Sequence, residues 1–353
     1  MPEFSSYATQ IIAEQGFFFV AEISNNHLGD LHRYKQLVQS AKESGAHAVK
    51  IQTYSANSLC LEVSKLNHPI TSGPWAGQTY WDLYKNMEVP LSWSLEIRDF
   101  AESIGIPIFS SPFSPSDVHY LAANGFEMFK VASGEFACPE LIDSIIDSGV
   151  KFMASTGFSW SEDLVWMQKR LFESNSQGLL WCLFNCVSNY PTDLSELDLS
   201  KFSILKAYSQ RVGLSDHSLD SNLCLMSYLA GARVFEKHLT LDRADGGPDG
   251  FFSLEPAELK QHIDLLSVAA ANPTLASASL TCSPTSELGK ASLKFSRSIY
   301  AKINIKIGDL LTVNNVGSFR PSHDEPAVYL DQMLGKPSKV DIAAGKPVFL
   351  RYI

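Results

Sequence analysis

The sequence predicts an α/β protein in which eight β-then-α units close into a (β/α)8 TIM barrel, followed by a small β-rich domain. Three observations carry this. Eight short apolar, β-rich runs occur before about residue 240, and stretches of helical spacing separate most of them. No Gly-x-Gly-x-x-Gly turn follows the first run, which argues against an open dinucleotide-binding sheet. Polar residues collect at or just beyond the C-terminal ends of the runs, the face on which closed barrels build active sites.

The first run, Phe17-Phe18-Phe19-Val20-Ala21-Glu22, is apolar on both faces, as a doubly buried parallel strand requires. A polar loop, residues 23–30, follows it. Residues 33–44 carry helical spacing and stop at Gly45, and Ala48-Val49-Lys50-Ile51-Gln52-Thr53-Tyr54 reads as the second strand. Alternation sends Lys50 and Gln52 to one side of that strand and Val49 and Ile51 to the other. Polar groups facing a crowded interior are costly for a purely structural strand, so a site is implied. Residues 55–90 form a long excursion containing Trp75, Tyr80, Trp81 and Tyr84, which suits a lid or substrate wall. The rhythm then resumes: helix 93–103 leads to strand 107–113, helix 115–124 to strand 128–135, and helix 139–147 to strand 152–157. Helix 161–172 leads to strand 180–186, and a helix over 223–231 joins the last two strands, 212–217 and 234–238.

The 353 residues divide into a barrel domain (1–270), a Ser/Thr/Pro/Ala-rich linker (271–289) and a small domain (290–353). With 45% hydrophobic and 19% charged residues, the chain can bury a sizeable core. Its formal net charge is −10 and no Lys/Arg-rich run occurs, so neither nucleic acid nor an anionic membrane is an expected partner. An anionic substrate must therefore be captured by local lysines against the global field. The start Met-Pro-Glu-Phe-Ser-Ser lacks a basic or apolar signal region and no apolar run approaches a bilayer span, so a cytoplasmic location is expected. Six cysteines are scattered; only Cys182 and Cys186 lie close, on one strand face as small buried hydrophobes. Neither a disulfide framework nor a zinc cluster is implied.

The strand ends define the candidate site. Val212-Gly213-Leu214-Ser215-Asp216-His217 and Val234-Phe235-Glu236-Lys237-His238 repeat one context on consecutive units, a strand ending in histidine. The two imidazoles should emerge side by side and could share a metal ion; the alternative is two histidines bonded to backbone. With the carboxylate of Glu22 they offer mixed N/O ligation suited to a divalent transition ion with open positions. Lys50 and Lys130, with the hydroxyls of Ser111, Ser133 and Ser155, can cradle a phosphate; the alternative for each lysine is a solvated rim charge. Gln52, Glu135 and Asn185 fall at the same face. A phosphate cradle beside an open metal site implies a small phosphorylated substrate and a polarised carbonyl or hydroxyl partner.

Ala21-Glu22-x-x-x-Asn26-His27-x-Gly29, Lys50-x-Gln52, Ser111-Pro112-Phe113, Lys130-x-Ala132-Ser133-x-Glu135, Ser155-Thr156-Gly157, Tyr190-Pro191, Ser215-Asp216-His217, Glu236-Lys237-His238 and Gly247-Pro248-Asp249 resemble the sialic acid synthases. The resemblance runs in order along essentially the whole chain. It implies condensation of phosphoenolpyruvate with an open-chain N-acetylated amino sugar, giving a nine-carbon 2-keto acid and free phosphate. It also implies a divalent metal, usually Mn2+ with Mg2+ or Co2+ possible, on His217 and His238, and Glu22 as the proton-handling group. Lys50, Ser111, Lys130, Ser133, Ser155 and Ser215 would hold phosphoenolpyruvate, while Gln52, Glu135, Tyr190 and Asp249 would face the sugar.

The tail carries a second resemblance. Arg297-Ser298-Ile299-Tyr300-Ala301, Phe319-Arg320-Pro321 and Leu334-Gly335-Lys336 are similar to the SAF (antifreeze-like) domain of these synthases. In that family the domain reaches across a domain-swapped homodimer, so Arg320 would enter the partner's sugar pocket. Lys50-Ile51-Gln52-Thr53-Tyr54, Tyr80-x-x-Leu83-Tyr84 and Arg320-Pro321-Ser322 are similar to the pseudaminic acid branch, which is favoured; Ala132-Ser133-Gly134-Glu135 and Gly247-Pro248-Asp249 are closer to the N-acetylneuraminate and legionaminate branches. Cys186-Val187-Ser188 departs from the expected Cys-Thr-Ser or Cys-Thr-Asn and loses one hydroxyl.

Two other classes are weighed against this. A metal-dependent barrel hydrolase would use the same histidines to activate water, but expects a His-x-His on the first strand and a metal-bound Asp on the last, and leaves both lysines unexplained. A C-terminal carbohydrate- or ice-binding module on a scaffold barrel leaves Lys50, Lys130, His217 and His238 without a task.

Overall fold

The computed structural model describes residues 3–63, 69–71, 75–159, 161–192, 196–276, 296–323 and 325–353. Eight parallel strands close a barrel in sequence order: β1 (Phe18–Glu22), β2 (Ala48–Thr53), β3 (Ile108–Pro112), β4 (Met128–Val131), β5 (Lys151–Ser155), β6 (Leu180–Cys186), β7 (Val212–Asp216) and β8 (Val234–His238). Closure places Glu22 opposite Lys50 on one side and opposite His238 on the other. The (β/α)8 barrel expected from the sequence is present, with strand bounds close to those read from the apolar runs.

Alternation splits each strand between two cores. Phe19, Ala21, Val49 and Ile51 point outward into the shell shared with the helices. Phe18, Val20, Ala48, Met128 and Val234 point inward and fill the lower half of the barrel. Two or four residues further along the same inward rows come Glu22, Lys50, Lys130, Glu236 and His238. The interior is thus apolar below and charged above, and the site is the upper layer of the barrel core. Gly213 in β7 allows this packing: a Cβ there would meet the Val234 carbonyl oxygen at 2.5 Å and the Phe184 ring at 2.8 Å.

The first helix, α1 (Phe4–Gln15), was not assigned from the sequence. It closes the bottom of the barrel, with the Phe4 ring 5.1 Å from Phe109 and 5.9 Å from Phe18. Its inward residues Phe4, Tyr7, Ala8, Ile11 and Ile12 follow helical spacing, and Gly16 ends it in a left-handed turn. The outer helices α2 (Leu31–Glu43), α3 (Ala56–Leu59), α4 (Tyr80–Met87), α5 (Ser92–Ile104), α6 (Pro115–Ala123), α7 (Pro139–Ser148), α8 (Ser161–Glu173), α9 (Lys201–Leu205), α10 (Asn222–Leu229) and α11 (Pro256–Ala271) follow in turn. The excursion after β2 is a packed wall: Tyr54, Leu59, Trp81, Leu83, Tyr84 and Phe113 share a small core above the barrel.

In the small domain β9 (Ser298–Ala301) pairs antiparallel with β10 (Val316–Phe319) over its own core. Its polar contacts with the barrel include the following. The Arg320 backbone N–H donates to the Leu59 carbonyl at 3.0 Å, Arg297 Nε donates to Glu135 Oε1 at 3.0 Å, and Arg170 bridges Asp143 and Asp331. Of the expected linker, residues 273–276 form a short helical turn and residues 277–289 lie outside the described residues. No described helix is long and apolar enough to cross a membrane.

Candidate active site

The pocket at the C-terminal end of the barrel is floored by a chain of four buried charges. Lys50 Nζ lies 3.2 Å from Glu22 Oε2 and 3.2 Å from Glu236 Oε1, and Lys130 Nζ lies 3.1 Å from Glu236 Oε2. Ser215 Oγ donates to Glu236 at 3.0 Å, Gln52 Nε2 donates to Glu22 at 2.8 Å, and the Lys130 ammonium sits 4.3 Å from the centre of the Phe184 ring. Two ammoniums and two carboxylates in one buried layer balance in charge, which is what allows them to be buried, although Glu22 Oε2 accepts no hydrogen bond.

Their titration follows from position. Burial raises the Glu22 carboxyl to about 7, only partly opposed by Lys50, while Glu236 nearby adds to the rise. Glu236 is subject to the same burial, but Lys130 and Lys50 outweigh it and hold that carboxyl below the usual carboxylate range. Burial lowers Lys130, whereas Lys50, placed between both carboxylates, is raised in spite of burial. The Glu22 shift has a consequence for stability. Its folded pKa lies above the ~4.3 of an exposed glutamate, so the stabilisation it contributes is present at low pH and is lost as pH rises through about 7. Glu22→Gln, neutral throughout, is therefore expected to melt with wild type near pH 4 and at a higher temperature than wild type at pH 8. Melting curves whose difference does not change with pH contradict this.

The two histidines stand together as the repeated strand context implied. Their ring centres are 5.2 Å apart. His217 Nδ1 donates to the Val187 carbonyl at 2.9 Å, the tautomer that leaves Nε2 as a lone-pair donor. His238 Nδ1 is buried with no hydrogen-bond partner. Burial lowers His217 to about 4 and His238 well below its ordinary value, so both rings are neutral at physiological pH. Two neutral, facing imidazoles with an orphaned nitrogen fit a divalent metal ion. Among the described residues no group of three or more His, Cys, Asp or Glu side chains is arranged to hold a metal.

The remaining expected residues separate by depth. Ser133 and Ser155 line the pocket, and Ser155 Oγ is buried without a partner. Ser111 lies below the lining and accepts from Lys50 at 3.4 Å. Asn185 is buried and donates from its amide to the Asp198 carbonyl. Tyr190 lines the pocket with its ring 4.4 Å from that of His217. Asp249 also lines it, its Oδ2 accepting from Ser24 and from Asn25 Nδ2 at 3.1 Å.

One expectation needs correction. Glu135 does not face the pocket: it is fully buried and both oxygens accept from arginines of the small domain, Arg320 Nη2 at 2.6 Å and Arg297 Nε at 3.0 Å. The turn Ser133–Glu135 after β4 swings it away from the strand's inward row. Arg320 lines the pocket, as expected of a sugar-facing residue, and also donates to the Tyr84 hydroxyl at 3.0 Å. The sequence reading gave no role to Glu236, Ser24 or Asn25. For Glu236 the signal was available, since it stands two residues before His238 on the same inward row.

A model of the NeuB family matches residues 37–272 and a SAF domain model matches residues 296–350. Two pseudaminic acid synthases of Campylobacter jejuni are 33% and 34% identical over 332 residues, 93% of this chain and 94% of theirs. An N,N'-diacetyllegionaminic acid synthase of Legionella pneumophila is 28% identical over 347 residues, covering 95% of this chain and 94% of that protein. The solved spore coat polysaccharide biosynthesis protein spsE of Bacillus subtilis superposes with a TM-score of 0.76 at 23% identity, covering 96% of this chain and 95% of that one, a likeness of fold.

Proposed function

The chain belongs to the NeuB family, and from that premise we propose that it condenses phosphoenolpyruvate with an open-chain N-acetylated amino sugar to a nine-carbon 2-keto acid and phosphate, pseudaminate being the favoured product. The observation that carries the reading is the Glu22–Lys50–Glu236–Lys130 floor beside His217 and His238. Lys50 and Lys130 bind the anionic groups of phosphoenolpyruvate, assisted by Ser133, Ser155 and Ser215. Glu22 and Glu236 keep both ammoniums paired when the site is free of substrate.

With the lysines already balanced by two carboxylates, an added phosphate and carboxylate call for an added cation. This supports a divalent metal held by His217 and His238, Mn2+ favoured over Mg2+ or Co2+, which when bound supplies Lewis-acid polarisation of the sugar carbonyl. The enol methylene carbon then forms the new C–C bond to the sugar aldehyde carbon, water adds at C2, and the C–O bond to phosphate is lost. Glu22, protonated or ionised near neutral pH and oriented by Gln52, is the group placed to hold the proton these steps exchange.

On the sugar side the reading uses Tyr190, Asp249 and Arg320. Arg320→Ala is expected to raise KM for the sugar ~10- to 100-fold, the effect of a lost charge-assisted hydrogen bond, while leaving KM for phosphoenolpyruvate unchanged. Equal changes in both constants contradict the assignment. A homodimer also belongs to the reading, supported by the exposed apolar side chains Ile303, Ile307, Leu310 and Val313 on the small domain; light scattering checks it. The test of the substrate is turnover of 2,4-diacetamido-trideoxy sugars against mannosamine-type sugars. Preference for the former supports pseudaminate or legionaminate, which product stereochemistry separates. Preference for the latter moves the assignment to N-acetylneuraminate.

A further inference from the structure

The two strands that carry the histidines end their outward rows in charge. Leu214 on β7 and Phe235 on β8 point into the apolar shell shared with the helices, and the next outward residues are Asp216 and Lys237. Their neighbours in sequence, Ser215, His217, Glu236 and His238, all line the catalytic pocket, whereas Asp216 and Lys237 do not. The two side chains are 2% and 1% exposed, and Lys237 Nζ meets Asp216 Oδ2 at 2.6 Å, directly across the register of β7 and β8. A pair this deeply buried gains little stability over two apolar side chains of similar size, and the best-attested use of such a pair is to fix register.

The bonds of this pair reach around His217. Asp216 Oδ1 accepts from the Ser218 N–H at 3.0 Å and Oδ2 accepts from the Ser218 hydroxyl at 2.8 Å, while Lys237 Nζ also donates to the Ser218 carbonyl at 2.5 Å. The residue before His217 and the residue after it are thus tied to each other. Both are tied to the side chain that immediately precedes His238. His217 has further anchors, since its Nδ1 donates to the Val187 carbonyl and its own carbonyl accepts from the Thr192 N–H at 3.2 Å. His238 Nδ1 is buried without a partner, so no hydrogen bond from that nitrogen turns the ring. Where His238 stands relative to His217 therefore depends on how β8 is held against β7, and Lys237 ties that seam one residue away.

Resting on the metal-dependent condensation proposed above, we propose that Asp216 and Lys237 are positioning residues for the His217–His238 site. They form a clamp behind the two imidazoles that sets the spacing at which both meet one divalent ion. The experiment titrates Mn2+ into the purified chain by calorimetry, in wild type, Lys237→Met and the double variant Asp216→Asn with Lys237→Met. His217→Ala identifies which binding event belongs to the site. Lys237→Met leaves the Asp216 carboxylate buried without its cation, so it is expected to lose stability in denaturant as well as metal affinity. The double variant removes the carboxylate charge too, and stability should return, yet asparagine and methionine make no ionic tie between the strands. It is expected to bind Mn2+ ~10- to 100-fold more weakly than wild type, the scale on which groups that orient metal ligands act. The Mn2+ concentration for half-maximal condensation should rise by the same factor, with KM for phosphoenolpyruvate unchanged. Asp216→Asn alone, which keeps the lysine, is expected to weaken Mn2+ in the same direction. Wild-type Mn2+ affinity in the folded double variant, or in Asp216→Asn should the double variant not fold, overturns the clamp while the metal site stands. No Mn2+ bound by wild type, or binding that His217→Ala leaves unchanged, overturns the metal assignment and the clamp with it.

Discussion

Alanine at His217 or His238 is expected to lower the rate of condensation by ~10^3-fold or more while leaving the circular dichroism spectrum unchanged. The magnitude follows from removing one of two protein donors to the proposed ion, whose polarisation of the carbonyl is worth several kcal/mol, each 1.36 kcal/mol being about tenfold in rate. The fold should survive because both side chains occupy the pocket layer, above the apolar lower core built from Phe18, Val20, Met128 and Phe184. His217 adds one hydrogen bond to the Val187 carbonyl, and His238 Nδ1 adds none. Full activity in either variant refutes the metal assignment, and loss of fold in both makes the histidines structural.

Lys130→Met should cost both stability and activity, and a double substitution should separate the two. Lys130 is 1% exposed and its ammonium is held by Glu236. Removing it leaves a buried carboxylate with one cation to share, a change that typically costs about 3–5 kcal/mol. Glu236→Gln in the same chain restores charge balance, because Lys50 then remains with Glu22 alone. Denaturant unfolding should show the double variant recovering most of the lost stability. Its kcat/KM for phosphoenolpyruvate should stay as low as that of the single variant, since the phosphate loses a ligand either way. Recovery of activity along with stability would falsify the role of Lys130 in substrate binding.

The barrel was legible because its two periods are strong. Strand alternation placed Lys50 and Gln52 inward, and the repeated strand-then-histidine context placed His217 beside His238. What alternation cannot convey is which inward residues meet across the barrel. Glu236 on β8 contacts Lys130 on β4, a pairing set by closure and register rather than by any spacing within one strand. Glu135, which the resemblance implied would face the sugar, lies beyond the end of β4 at Val131 in a helical turn that redirects its side chain, and no strand period reaches that far. The helix α1 has a clear apolar face, but the β-then-α rhythm implies no partner for an element that precedes the first strand; its partner is the open bottom of the barrel. Likewise the Arg297–Glu135–Arg320 cluster depends on how two domains dock, which no local pattern encodes.

The most direct test of the account is phosphate release from phosphoenolpyruvate, measured with the sugar and the divalent metal each present or omitted. The account predicts release only when a 2-acetamido sugar and the metal are both supplied, with one phosphate formed per nine-carbon 2-keto acid. Phosphate released at the same rate without sugar, or none released with any of several 2-acetamido sugars and Mn2+, contradicts it.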